Sequence, residues 1–290
     1  LELKMGAVGL LVLFACVFGV YIVHGGDMAP IIAAAPFEFV SIFGAAVGAA
    51  LIGNSKAGVG TGFAAAGKVF KGPKYHKEDY LAVILVVSKI LKTLKAEGAV
   101  ALEPHIENPE SSAIFAEYPP ILQDHALLDL ICDTIRLMVV SSGNLSPYAV
   151  EDVMTASIKN HQHHEGMNAT FWASMEGALP ALGIVACVLG VVKTMGAIDQ
   201  PPPVLGALIG SALVGTFMGV LLAYGIAGPF AIRIAQVVEE DGEIFKCVQQ
   251  LIVANLHGHP MPLVIEAARS VINHHNKPSF GEIFDGMRGK

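Results

Sequence analysis

The densest set of metal-ligating side-chain types in this chain is HQHHE, His161 to Glu165. A structural zinc site takes about four ligands at matched spacing. The other histidines repeat no such spacing, and Cys16, Cys132, Cys187 and Cys247 contain no Cys-x-x-Cys pair. HQHHE is therefore expected in a solvated loop or helix end, with the cysteines as small buried apolar residues. A second candidate is GFAAAGKV, Gly62 to Val69, which nearly fits the phosphate-loop pattern. Val69 stands where a Ser or Thr would hold Mg²⁺, and no strand precedes it, so a Gly- and Ala-rich interfacial segment is the better reading. No nucleophile motif is present. The chain is expected to be no enzyme, with no metal and no cofactor.

The chemistry left open is ion transfer through a membrane. Residues are 53% hydrophobic and only 15% charged, with mean hydropathy +0.59, which points to an integral membrane protein. Four segments can cross about 30 Å of hydrocarbon as helices of about 20 residues: Met5 to Val23, Ile31 to Ile52, Gly177 to Val192 with short flanks, and Val204 to Ile232. An ion crossing hydrocarbon needs carboxylates, histidines or a polar path, because bare charge there is costly. Glu38 and Glu176 lie near span ends, and no charged residue is expected near the midplane. What remains inside is hydroxyl and backbone: Ser211, Thr216, Tyr224, and the carbonyls loosened by Pro180 and Pro229. Such a chain cannot be a carboxylate relay alone; if it conducts, a partner must bring the titrating group.

The elements that position these residues follow from charge and period. The loop His24 to Pro30 and the turn AIDQPPP carry no Lys or Arg, whereas Lys56, Lys68, Lys71, Lys74 and Lys77 follow the second span and Arg233, Lys246 and Arg269 follow the fourth. The positive-inside rule then puts both termini and the middle region in the cytoplasm. Lys193, the exception, can snorkel to the outer headgroups. The first span lacks a small-residue cleavage pattern and is expected to be retained. Residues 1–53 are thus expected to form spans 1 and 2, 54–168 a cytoplasmic domain, 169–235 spans 3 and 4, and 236–290 a cytoplasmic tail. Apolar residues repeat at helical spacing in Tyr80 to Ala96, and again in ILQDHALLDLICDTIRLMVVSSG, which ends at Gly143. With no alternation of period two, the fold class is all-α.

Small residues recur every four positions at Ser211, Gly215, Gly219 and Ala223, and at Gly44 with Gly48 and Ala45 with Ala49. Such stripes let helix backbones approach, either within the chain or toward partner helices. A formal net charge of −7 argues against nucleic acid as a partner.

GALPALGIVACVLGVV, LGALIGSALVGTFMGVLLAYGIAGPFA, LEPHIENPESSAIFAEYP, NKPSF and the early FGVYIVHGG together resemble the MotA family of flagellar-motor stator subunits over nearly the whole chain. The resemblance implies a ring of five copies in the bacterial inner membrane around two copies of a MotB-like partner, whose spanning helix bears the proton-accepting Asp. It implies that Pro180 and Pro229 couple protonation to helix movement, that Thr216 faces the partner helix, and that Tyr224 lies low in the channel. Cys187 stands where sodium-driven relatives carry a second Thr. A thiol is a poor ligand for a hard cation, so protons rather than Na⁺ are the expected coupling ion. Lys95 and Glu103, eight apart, match the basic and acidic residues that engage the rotor protein FliG. The family usually has Arg at the first position, and Lys keeps the charge but loses the bidentate fork. The alternatives are a proton engine resembling ExbB or TolQ, which has three spans and lacks IENP as it stands here, and a passive membrane scaffold whose stripes only pack helices.

Overall fold

The computed structural model describes residues 2–141 and 145–288. Among these, every regular element is helical. Four helices are long and apolar enough to cross a membrane: Met5–Val23, Ala29–Gly53, and stretches within Pro147–Met195 and Pro202–Leu256. The all-α, four-span reading of the sequence is the observed one. The expected helix end at Gly143 lies outside the described residues. The helix preceding it runs His125–Val140, capped by the Asp124 side chain.

The chain forms two compact units, residues 1–72 with 164–238 and residues 73–163 with 239–290. In the first, the second spanning helix buries Ala34, Ile42, Ala46 and Ala50 on one side, and packs along the fourth. The third and fourth helices meet through glycine. A Cβ at Gly219 would lie 2.6 Å from the Leu179 carbonyl oxygen and 2.9 Å from the Gly183 Cα, and one at Gly190 would lie 2.5 Å from the Ala212 Cβ. Only residues without side-chain bulk allow that approach.

Residues 54–72, placed by sequence with the cytoplasmic region, pack in the same compact unit as the spanning helices. The reason is the helix Lys56–Lys71, whose Ser55 cap accepts from the Gly58 amide at 3.2 Å. It buries Ala65 and Val69. The Trp172 indole donates to the Gly62 carbonyl at 2.8 Å, and Lys68 pairs with Glu165 at 2.7 Å. The phosphate-loop look-alike is thus a packed helix, and the acid of HQHHE is an ion-pair partner. HQHHE itself is helical, inside Pro147–Met195, rather than in a loop.

The second unit is built on Lys77–Glu97, started by a reciprocal His76–Asp79 cap. It buries Tyr80, Val83, Ile84, Val87, Ile90 and Leu91 against Ile131, Ile135, Val248 and Leu251. At one edge Asp124 is buried, 7% exposed, and accepts from the Lys74 ammonium at 2.8 Å and the Tyr75 hydroxyl at 2.5 Å. Burial pushes its carboxyl up, but those two hydrogen bonds outweigh burial and hold it below the ordinary range. The last helix, Phe280–Met287, starts from the Ser279 of NKPSF in a capping box with Glu282. Lys77 donates to Glu282 at 2.6 Å, and with Ser279 this draws the Glu282 carboxyl down to about 2.

Candidate functional site

The fourth spanning helix presents three faces. One, with Ala212, Gly215 and Gly219, is shut against the third helix. A second turns to the first helix, where Phe217 meets Phe18 edge to face at 5.8 Å. The third is uncovered: Ile209, Leu213, Val220 and Tyr224 are exposed, with partly exposed Thr216 among them. Their spacing of four, three, four and four keeps them on one side of the helix. In a membrane such a face meets lipid or another helix, and a hydroxyl in its middle gains nothing from lipid.

The Thr216 hydroxyl has no hydrogen-bond partner among the described residues, whereas Thr194 returns its hydroxyl to the Gly190 carbonyl at 2.9 Å. A helical Thr commonly satisfies itself in that way. Thr216 therefore sits on the open face with its donor unspent.

Pro229 and Tyr224 belong to one backbone feature. Pro229 brings no N–H to the carbonyl four residues back and its ring crowds that carbonyl. The helix answers with a π segment at Ala223–Ala227, which contains Tyr224. Pro180 behaves differently. The helix Pro147–Met195 passes through it unbroken, so the two prolines are not equivalent bends. Pro36, inside Ala29–Gly53, is a third proline that sequence reading did not single out.

The structure brings Cys187, Thr216 and Glu38 to one level. A Cβ on Gly215 would lie 3.0 Å from Glu38 Oε2 and 3.3 Å from the Cys187 amide nitrogen. Glu38 was expected near a span end. It stands instead nine residues into a 25-residue helix, about 13 Å along its axis. The second acid, Glu176, reaches the other end of the same seam, with Oε1 2.8 Å from the Cβ position of Gly228, beside Pro229. Gly215 and Gly228 are about 20 Å apart along the helix. Two carboxylates therefore flank the seam at two depths, while the open face bears none.

The stripes found in sequence divide. Gly215 and Gly219 are consumed by packing within the chain, and Ala223 is fully buried. In the second helix Gly44 and Gly48 have nothing within 4 Å of an added Cβ, and Ala45 and Ala49 are exposed. That stripe is open for another helix.

In the second unit Lys95 lies in the last turn of Lys77–Glu97 and Glu103 on Ala99–Glu107, both exposed. Gly98, at φ +85°, turns the chain between them. They form no ion pair with each other, so both charges face outward.

Comparison with known proteins places these features. Residues 7–98 match the family described as motility protein A N-terminal, and residues 125–246 match the MotA/TolQ/ExbB proton channel family. Motility protein A of Salmonella typhimurium is 36% identical over 97% of this chain and 94% of its own length, and that of Escherichia coli gives the same values. The chemotaxis protein LafT of Vibrio parahaemolyticus is 34% identical over 95% of each chain. The fold is that of a chain in the C. jejuni MotAB structure, with TM-score 0.74, 17% identity, and coverage of 97% of this chain and 100% of that one. A chain of the Bacillus subtilis flagellar MotAB stator complex gives TM-score 0.65 at 20% identity, over 90% and 92%. With its four spans, its glycine seam and this extent of identity, the chain belongs to the motility protein A family of the MotA/TolQ/ExbB proton channels.

Proposed function

We propose that this protein is the channel-wall subunit of a proton-driven flagellar stator. It assembles as a ring, read as five copies, around a MotB-like partner dimer in the bacterial inner membrane, with both termini cytoplasmic, and passes torque to a FliG-like rotor protein. One observation carries this most directly: the open face of the fourth spanning helix carries an unspent hydroxyl at Thr216 and no carboxylate. A wall of that kind needs a partner helix with an acid. The structural relative from Bacillus subtilis is a flagellar MotAB stator complex, which agrees with such a partner.

In this reading each proton carried by the partner's Asp alters its contact with Thr216 at the level of Cys187. Movement passes along the seam to the π segment at Ala223–Ala227 and Pro229, while the facing helix stays continuous past Pro180, whose missing N–H leaves a carbonyl free to shift. Moving one charge through 100 mV releases about 2.3 kcal/mol, the scale of a packing change between two states. Lys95 and Glu103 then transmit the step to the rotor electrostatically, a contact that tolerates Lys in place of Arg because attraction at range depends on charge.

The test is co-expression with a MotB-like chain in cells lacking their own stator. Protonophore-sensitive swimming is expected with the partner Asp present and none with that Asp replaced by Asn. Swimming that persists with the Asn partner would sink the reading, since the wall would then need no titrating partner.

A further inference from the structure

We propose that Lys92 and Lys95, with the His259 ring beside them, form one notch that takes an acidic side chain from the rotor partner, with Leu91, Ala96 and Met261 as its apolar floor. The proposal rests on the rotor-contact reading of Lys95 and specifies the site that reading leaves undefined. The notch is an open cavity of about 290 Å³, lined by these residues and Asn255. It lies between the last turns of Lys77–Glu97 and the start of Met261–Ser270. Gly258, at φ +78°, makes the turn that carries the chain from Asn255 to His259.

Charge decides the occupant. Lys89, Lys92 and Lys95 follow each other at intervals of three, over about 9 Å of helix. Lys89 is spent on Glu117 at 2.5 Å. Lys92 and Lys95 form no ion pair or hydrogen bond among the described residues. No carboxylate lines the notch, although the chain as a whole carries a formal charge of −7. The nearest acids in sequence, Glu97, Glu266 and Glu103, are not part of its wall, and Glu266 is paired with Arg269.

The notch also accounts for lysine at position 95. An arginine holds a carboxylate with two parallel donors on one plane, and a single lysine cannot. Two lysines one turn apart provide two separate ammonium donors, and the Asn255 amide adds a neutral one. A carboxylate entering here, with apolar atoms beside it resting on Leu91 and Met261, would replace the lost fork. Glu103 then acts separately, on a basic group elsewhere on the partner.

The experiment uses the full chain in complex with its MotB-like partner, and purified FliG-like rotor protein as the probe, at low salt. Lys92→Glu is expected to weaken rotor binding and bead-assay torque to the same extent as Lys95→Glu, by about fivefold or more for a close charge pair. His259→Glu is expected to do so more weakly. Lys92→Arg should bind as the native chain does, and an acid-to-lysine change on the rotor helix should restore Lys92→Glu. If Lys92→Glu and His259→Glu bind and turn normally while Lys95→Glu fails, the notch is wrong and the rotor contact stands on Lys95 alone. If Lys95→Glu is also normal, the rotor reading itself falls. Partner co-purification checks assembly of each variant; should Lys92→Glu not assemble, Lys92→Gln decides, with intermediate binding expected and native binding overturning the notch.

Discussion

Thr216 and Thr194 have the same side chain on helices of the same membrane unit, yet only Thr194 returns its hydroxyl to its own helix. Removing the Thr216 hydroxyl therefore breaks nothing inside the chain. Thr216→Val, nearly isosteric, is expected to leave thermal stability within about 0.5 kcal/mol. It should slow proton flux through the partner complex about tenfold if one hydrogen bond of about 1.4 kcal/mol to the moving group is lost. Thr216→Ser should retain most of the flux, so assays of both variants separate hydroxyl from shape. Asp124 gives the opposite kind of residue, buried and fully engaged. Its carboxyl is held below the ordinary range by Lys74 and Tyr75, against the opposing push of burial. A depressed carboxylate adds stability above the unfolded value of about 4, and loses it as pH falls through the folded value. Asp124→Asn is expected to cost about 2 kcal/mol at neutral pH, the scale of hydrogen bonds to a charged group, read as faster hydrogen exchange over residues 125–140. The residue types at Thr216, Tyr224, Pro180 and Pro229 were legible in the sequence. Their faces were not, because a helix apolar all round carries no moment to tell the packed side from the open one. Glu38 was misplaced for a related reason: position along one helix does not show the level at which its side chain meets a neighbour, and the structure brings it to Gly215 of the fourth span.

At the scale of elements, the glycine stripes had two open readings, and the structure separates them by what each glycine touches. Gly219 faces backbone, the Leu179 carbonyl oxygen and the Gly183 Cα, and backbone cannot rotate away. Gly219→Ala is expected to destabilise the third and fourth spans by about 1 to 3 kcal/mol through overpacking, measured by thermal unfolding in detergent. Gly48→Ala has open space around it and should leave the isolated chain unchanged. If the second-helix stripe packs against another helix, that variant should lower complex assembly alone, so equal losses at both positions would refute the division. The sequence could show that small residues recur every four positions but not against what, since the pattern is identical for a neighbour in the chain and one outside it. The helices of the second unit were easier to read, since Lys77–Glu97 sets an apolar stretch beside the exposed Lys89, Lys92 and Lys95, although Val83 to Ser88 are buried all round. Their ends followed local chemistry: His76 with Asp79, Asp124 before Leu127, Ser279 with Glu282. The packing of the Lys56–Lys71 helix against the spanning helices was not legible, because its lysines mask a buried face of Ala65 and Val69.

For the whole molecule, the four spans were legible because the bilayer constrains their length strongly, at about 20 apolar residues per crossing. The coupling ion is a property of the assembly and rests on one atom in this chain. Cys187 lies at the depth of Gly215 and Glu38, where an oxygen ligand would serve Na⁺ and a thiol serves it poorly. Glu38 supplies a carboxylate at the same level, so the absence of oxygen there is not complete. The two contributions can be parted. With the membrane potential clamped and external pH fixed, the speed of a motor driven by this chain should not change as Na⁺ replaces K⁺ outside. It should scale with proton motive force, at about 2.3 kcal/mol per charge per 100 mV. Cys187→Thr alone should keep proton drive, because a hydroxyl neither carries nor blocks the partner's proton. Glu38→Gln is the sharper measurement. If Glu38 tunes the partner's acid across the seam, its neutral variant will shift the pH at which speed is half-maximal without altering assembly. A speed that rises with Na⁺ in the native chain would instead make Glu38 a cation ligand and overturn proton coupling.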